Sequence, residues 1–186
     1  PADVADMAAR ARLRTHGAGS RIYERGERGD ILFVVEYGLV QLSTRSIDGE
    51  RMIAVDLAGA GEIFGEIESS EAVPRDPERP RLLDAEVVET AALVAVDGRD
   101  LRALLDRRPE IATRLREILT GRVRRLVALV EDVSFRSVEI RLARHLLELA
   151  DRLGMADGAK VTLRRRLTHQ QLADALGVTR RSVLNT

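Results

Sequence analysis

The chain of 186 residues has no cysteine, no tryptophan, only five phenylalanines and tyrosines together, and three histidines. The missing cysteines exclude disulfides, zinc–thiolate sites, a cysteine nucleophile and cysteine-held iron–sulfur clusters in one step. His16, His145 and His169 lie far apart, so metal-dependent or imidazole-driven catalysis has no starting cluster. Long apolar runs are missing as well. The longest, Ala91 to Val96, spans six residues, whereas a membrane-spanning helix needs about twenty. No leader pattern of basic start, apolar stretch and small cleavage residues is visible. The expectation is a soluble, cytoplasmic protein with no membrane contact and no metal site.

Charge is what the chain has in abundance: 30 basic against 30 acidic side chains. The balance hides an asymmetry. Residues 1–135 carry 20 basic and 25 acidic groups, and residues 136–186 carry 10 basic and 5 acidic. An acidic front and a basic tail imply two jobs, with the tail the place where a polyanion would dock.

The front reads as short strands between glycine turns. They fall at 31–35, at 39–43 after Gly38, at Ile53, Val55 and Leu57 after the hairpin signal Asp48–Gly49, and at 62–64, 85–88 and 93–96. Such a series predicts an antiparallel sandwich or barrel. Pro74, Pro77 and Pro80 recur every third residue, predicting an extended loop over 73–81. After Asp97–Gly98 the period turns helical. A short helix is expected over 100–107, broken before Pro109, which suits the first turn of a second helix running to Val133. Along it Ala112, Leu115, Leu119, Arg122, Leu126, Leu129 and Val133 alternate spacings of three and four, a heptad-like seam with one Arg in it. Ile111, Ile118, Val123, Val127 and Val130 widen the apolar surface. Such a helix has two faces to bury: one against the strands, the other against a second copy of itself or its own domain. A hinge at 135–137, an amphipathic helix over 138–153 and a strand at 160–163 follow.

The segment 167–185 carries the sharpest signal. Thr168 and Gln171 have capping-box spacing, and Leu172, Ala173 and Leu176 supply a buried face. Gly177 stands where the first helix must stop in a left-handed conformation, Val178 fills the corner, and Thr179 caps a second helix from Arg180. This is a helix-turn-helix; the alternative is a helical hairpin with a solvated basic face. In that geometry Arg180, Arg181, Ser182 and Asn185 face base edges, while Val183 and Leu184 turn inward or lie at the edge. Thr168, His169 and Thr179 complete the expected DNA-binding set. Arginine pairs with guanine, and asparagine with adenine, through two parallel hydrogen bonds. The sequence stops at Thr186, within the second helix by this reading, so the domain is expected to be incomplete here.

With these features in this order, the chain resembles the cyclic-AMP receptor protein and fumarate–nitrate regulator family of bacterial transcription factors. Gly26, Gly29–Asp30, Gly38 and the cassette Gly61-Glu-Ile-Phe-Gly65-Glu66 look like the family's nucleotide-binding roll. The resemblance implies an α+β fold with three parts. An N-terminal antiparallel β-roll of the cyclic-nucleotide-binding, jelly-roll type occupies residues 1–108, a dimerisation helix 109–134, and a winged helix-turn-helix, incomplete here, 135–186. It also implies a homodimeric, sequence-specific DNA-binding regulator without enzymatic activity. Its partners would be double-stranded DNA, a second copy and RNA polymerase, and its dimer interface Leu115, Leu119, Arg122, Leu126, Leu129 and Val133. Where members that prefer the best-known half-site carry Arg-Glu, with Arg five residues after the first, this chain has Arg180–Arg181 and Asn185.

The family's effector would be a cyclic nucleotide or another small molecule, and its site would comprise Phe64, Gly65, Glu66, Arg81, Leu82, Leu126 and Val127. Gly65 lets the backbone approach a phosphate, and a helix starting near Glu66 offers N–H groups to an anion. Glu66 would accept from a ribose 2′-hydroxyl, and the Arg81 fork would pair with the phosphate. Three departures are visible. Leu82 and Leu83 follow Arg81 where a hydroxyl is expected, the stretch from Glu66 to Arg81 is long, and Leu126 and Val127 replace a polar pair that would meet adenine. A buried purine amine facing two aliphatic chains loses a hydrogen bond, at about 1–3 kcal/mol. Weak or no cAMP binding is therefore expected, leaving another nucleotide, another small acid or no effector. The alternative is an effector-independent regulator whose roll is structural or contacts other proteins.

Overall fold

The computed structural model describes residues 11–46, 52–67, 80–158, 160–163 and 167–186. It divides into two compact units: residues up to Thr44 with Asp56–Arg122, and Arg45–Val55 with Val123–Thr186. The hairpin expected at Asp48–Gly49 and the part of the proline loop before Pro80 lie outside the described residues; Pro80 itself bridges Arg28.

The first unit holds most of an antiparallel sheet, whose residues 45 and 52–55 belong to the second. Strands β1 (Arg12–His16), β2 (Arg21–Tyr23), β3 (Ile31–Arg45), β4 (Met52–Ala58), β5 (Ile63–Phe64) and β6 (Asp84–Asp97) follow in chain order. The sheet runs β1-β6-β3-β4, with β2 on β6 and β5 on β3. Two long strands replace four short ones. The expected pairs at 31–35 and 39–43, and at 85–88 and 93–96, are halves of β3 and β6, which pair from Ile31↔Asp97 to Ser43↔Asp84. The register shifts between Val35 and Val40, around Gly38, so a glycine that reads as a turn is a bulge inside one strand. β1 and β2 escape the sequence reading because their residues, Arg12–His16 above all, are mostly polar and exposed. Val35, Val40, Leu42, Phe64, Val87 and Leu93 form the core with Tyr23.

Helices follow where local signals put them. In α1 (Gly98–Arg107) the Asp97 side chain caps the start by accepting from Arg99 N–H. Burial works against the Asp97 carboxylate. Hydrogen bonds from the Arg99 backbone and side chain, with the charges of Arg99 and Arg102, nevertheless hold it below the usual range. Arg102 in turn donates both guanidinium nitrogens to Asp30, at 2.9 and 2.8 Å. Helix α2 (Pro109–Phe135) opens on proline at its first turn, where the missing N–H costs nothing.

In the second unit α3 (Val138–Leu153) ends at Gly154. A hairpin of β7 (Gly154–Asp157) and β8 (Lys160–Leu163) follows, then α4 (His169–Leu176) and α5 (Arg180–Leu184). Ala173, Leu176 and Val183 form a small core there with Val138, Leu142, Leu172 and Val178, so α3 and the last two helices are one packed body.

Candidate functional site

The C-terminal pair of helices has the geometry that its sequence dictates. Thr168 accepts from Gln171 N–H at 3.1 Å, and Gln171 Oε1 accepts from Thr168 N–H at 3.0 Å, which completes the capping box. Gly177 takes φ 65°, ψ 33°, the left-handed region that other residues enter at a cost. Thr179 caps α5 by accepting from Ser182 N–H at 3.2 Å. Arg180, Arg181 and Asn185 are exposed, Val183 is buried, and Leu184 is exposed rather than turned inward. Ser182 departs from the expected reading face: it is half-buried and its hydroxyl lies 2.9 Å from that of Thr179. Thr168 and Thr179 spend their side chains on the two caps, and His169 is exposed on the first turn of α4.

Sequence reasoning missed Arg141. From α3 it donates to the Leu176 carbonyl, at the C-terminal end of α4 where the helix dipole is negative. No local pattern connects two positions 35 residues apart. His145, also on α3, is pushed below the ordinary imidazole value by burial, with the Glu148 charge opposing.

The cassette in the first unit is the second candidate. After β5, Gly65 turns with φ 77°, and a Cβ there would stand 2.7 Å from the Ile31 carbonyl and 2.8 Å from Arg81 Nη1. Arg81 is buried, as Phe64 and Glu66 are. It donates to the Gly65 carbonyl at 3.3 Å and to the Ile31 carbonyl at 2.9 Å. Its guanidinium carbon lies 4.3 Å from the Tyr23 ring centre, within cation–π range. Beneath it Phe33 and Phe64 stack at 4.9 Å. The position that the resemblance assigned from a strand register thus lies against the cassette.

Glu66 has no exposed surface, and among the described residues its Oε2 has no hydrogen-bond partner. Its Oε1 accepts from Arg122, which also donates to the Ile63 carbonyl and, through Nε at 3.2 Å, to Asp56. Arg122 and Leu115 were both expected on the self-contact seam, and both are turned inward. Leu115 is buried in its own unit, and Arg122 is drawn to two carboxylates, because a charge leaves water only where opposite charge receives it. Leu119 and Leu129 are half-buried, and Leu126, Val127 and Val133 are exposed on α2. Leu82 is exposed beside Arg81. Together a buried guanidinium and a carboxylate oxygen lacking a donor suit a small acid that carries a hydroxyl.

Among the described residues no group of three or more His, Asp or Glu could hold a metal ion, and no helix is long and apolar enough to cross a membrane.

Comparison with known proteins bears on both candidates. A model described as cyclic nucleotide-binding domain matches residues 13–108, and one described as Crp-like helix-turn-helix domain matches residues 140–186. The CRP-like cAMP-activated global transcriptional regulator of Mycobacterium tuberculosis is 31% identical over 165 residues, covering 89% of this chain and 70% of its own. The cyclic AMP receptor protein of Thermus thermophilus is 32% identical over 171 residues, covering 91% and 72%. The c-di-GMP-responsive global regulator CLP of Xanthomonas campestris shares the fold, with a TM-score of 0.82 at 18% identity over 99% of this chain and 88% of its own.

Proposed function

The chain belongs to the cyclic-AMP receptor protein and fumarate–nitrate regulator (Crp/Fnr) family of DNA-binding transcription regulators, and from that membership we propose how its parts divide the work. Two copies pair through the exposed face of α2 around Leu126, Val130 and Val133, and the pair reads a two-fold symmetric site with half-sites one helical turn apart. Arg180 takes a guanine and Asn185 an adenine. Arg181 can only donate, so the cytosine preference of an acidic residue at that position is lost. The protein works in the cytoplasm, recruits RNA polymerase and has no catalytic activity of its own.

The observation that carries the DNA reading is the corner at Gly177, capped on both sides by threonines and followed by two exposed arginines. Selection of bound duplexes from random DNA tests it. Arg180→Ala should cost about 1–3 kcal/mol and relax one base position. Enrichment of the family's best-known half-site with its cytosine contact intact, or no enrichment at all, would reject these assignments.

The effector is proposed to be a small acid with a hydroxyl, of nucleotide class, gripped by Arg81 and Glu66. The buried Glu66 oxygen, without a donor among the described residues, supports this, as do cAMP-activated relatives. A second reading, a roll with no effector, is favoured by Arg122 already holding Glu66 and by Arg81 donating to the Gly65 and Ile31 carbonyls. Melting in the presence of nucleotides and small acids separates the two, since any ligand of the native state raises the midpoint. A rise that Glu66→Gln abolishes supports an effector; no rise with any compound supports the second reading.

A further inference from the structure

The path from α2 to the reading helix passes through a narrow joint. Only Arg136 and Ser137 separate α2 from α3. Ser137 is extended, with φ −66° and ψ 161°, and its side chain makes no cap to α3. A joint of two residues can swivel about their four soft backbone torsions. Bracing comes instead from Asp132 on the last turns of α2. Its Oδ1 forms an ion pair with Arg136 Nε in the joint and accepts a hydrogen bond from Arg144 Nη1 on α3, each at 2.9 Å. The Asp132 side chain is 16% exposed, against 38% for Arg136 and 44% for Arg144, so the carboxylate is sheltered by the two cations it holds.

We propose that Asp132 is a positioning residue for DNA binding, which sets the angle between α2 and α3 by holding Arg136 and Arg144 across the joint. The proposal rests on the DNA-binding reading above. Whatever fixes α3 fixes the reading helix, because Val138 and Leu142 of α3 share a core with Ala173, Leu176 and Val183, and Arg141 is tied to the end of α4. Single ion pairs at this exposure are weak and screened by salt. Two of them converging on one pivot bias its angle without freezing it, which is the property a switchable joint needs. The three residues are far enough apart in sequence that the 3.6-residue period links only Asp132 with Arg136.

Because the chain has no cysteine, spin labels at Arg124→Cys on α2 and Asp151→Cys on α3 report the angle directly. Labelled chains are diluted into unlabelled protein, without DNA. One narrow distance is expected in the otherwise unchanged protein, and a broadened, shifted one in Asp132→Asn and in Arg144→Gln. Combining the two should do no further harm, and Asp132→Glu should restore the narrow distance. On a duplex selected by the wild-type protein, Asp132→Asn should bind about three- to tenfold more weakly. An unchanged distance in Asp132→Asn overturns the proposal, and so does a lowered melting point with unchanged distances, which would make Asp132 a stabiliser only. If the distances shift as expected but the wild-type protein selects no duplex, the DNA-binding reading falls while the brace stands.

Discussion

Arg81 and Arg122 are two guanidiniums that the roll takes out of water, and each is held by atoms far away in sequence. Arg81 rests on the Gly65 and Ile31 carbonyls and on the Tyr23 ring. Arg81→Ala leaves two carbonyls bare and a ring uncovered, so it should lower stability by about 2–4 kcal/mol in urea unfolding, whether or not an effector exists. The resemblance located Arg81; periodicity did not, since nothing in the residues around it says what it will touch. Arg122 makes the converse point. Heptad spacing fixes where a residue falls along α2, but Asp56 and Glu66, which draw it inward, are distant in sequence. His145 makes a different statement. Burial holds its proton affinity down in the folded state, while the unfolded chain takes up the proton near pH 6.5. Its contribution to stability is therefore complete above about pH 6.5 and is lost as pH falls toward the lower folded value. Melting midpoints should drop on acidification through that window, and His145→Gln should flatten this part of the profile.

At the scale of elements, helices were legible and strand lengths were not. The helix ends rest on neighbours only a few residues away: Asp97, Pro109, Gly154, the Thr168 capping box, Gly177 and Thr179. Strand extent depends on partners across the sheet, and so the bulge near Gly38 and the polar edge strand β1 could not be read from the chain itself. Helix α2 combines both lessons. Its first half is buried at Leu115, while Val123, Leu126, Val127, Val130 and Val133 remain exposed, an apolar row too continuous for a surface facing water. Leu126→Glu should therefore give monomers in sedimentation, with DNA binding weakened as the second half-site is lost. A dimer that persists in this variant would move the interface elsewhere.

For the molecule as a whole, residues 1–135 hold the acidic excess and residues 136–186, the stretch that includes α3, α4 and α5, hold the basic excess. This division was legible from charge alone, because net charge needs no knowledge of contacts. Which effector the roll would take was not legible, since it depends on which polar atoms the fold leaves without partners. Leu126 and Val127, both aliphatic, offer no hydrogen bond to a purine amine. Calorimetry with cAMP should accordingly show weak binding or none, with little change in DNA affinity. Tight binding that disappears in Arg81→Ala would reverse this expectation and align the protein with its cAMP-activated relatives.

The guanidinium of Arg81 lying over Tyr23 also gives the molecule an optical signal. With no tryptophan to dominate emission and only two tyrosines in the chain, ultraviolet fluorescence comes from Tyr23, buried under that cation, and from Tyr37, half open to solvent. Any event that draws Arg81 off the ring changes the quenching of Tyr23, read as a change in the summed tyrosine emission over the contribution of Tyr37. Binding of the proposed effector, if it displaces Arg81, would thus be followed in real time on unlabelled protein.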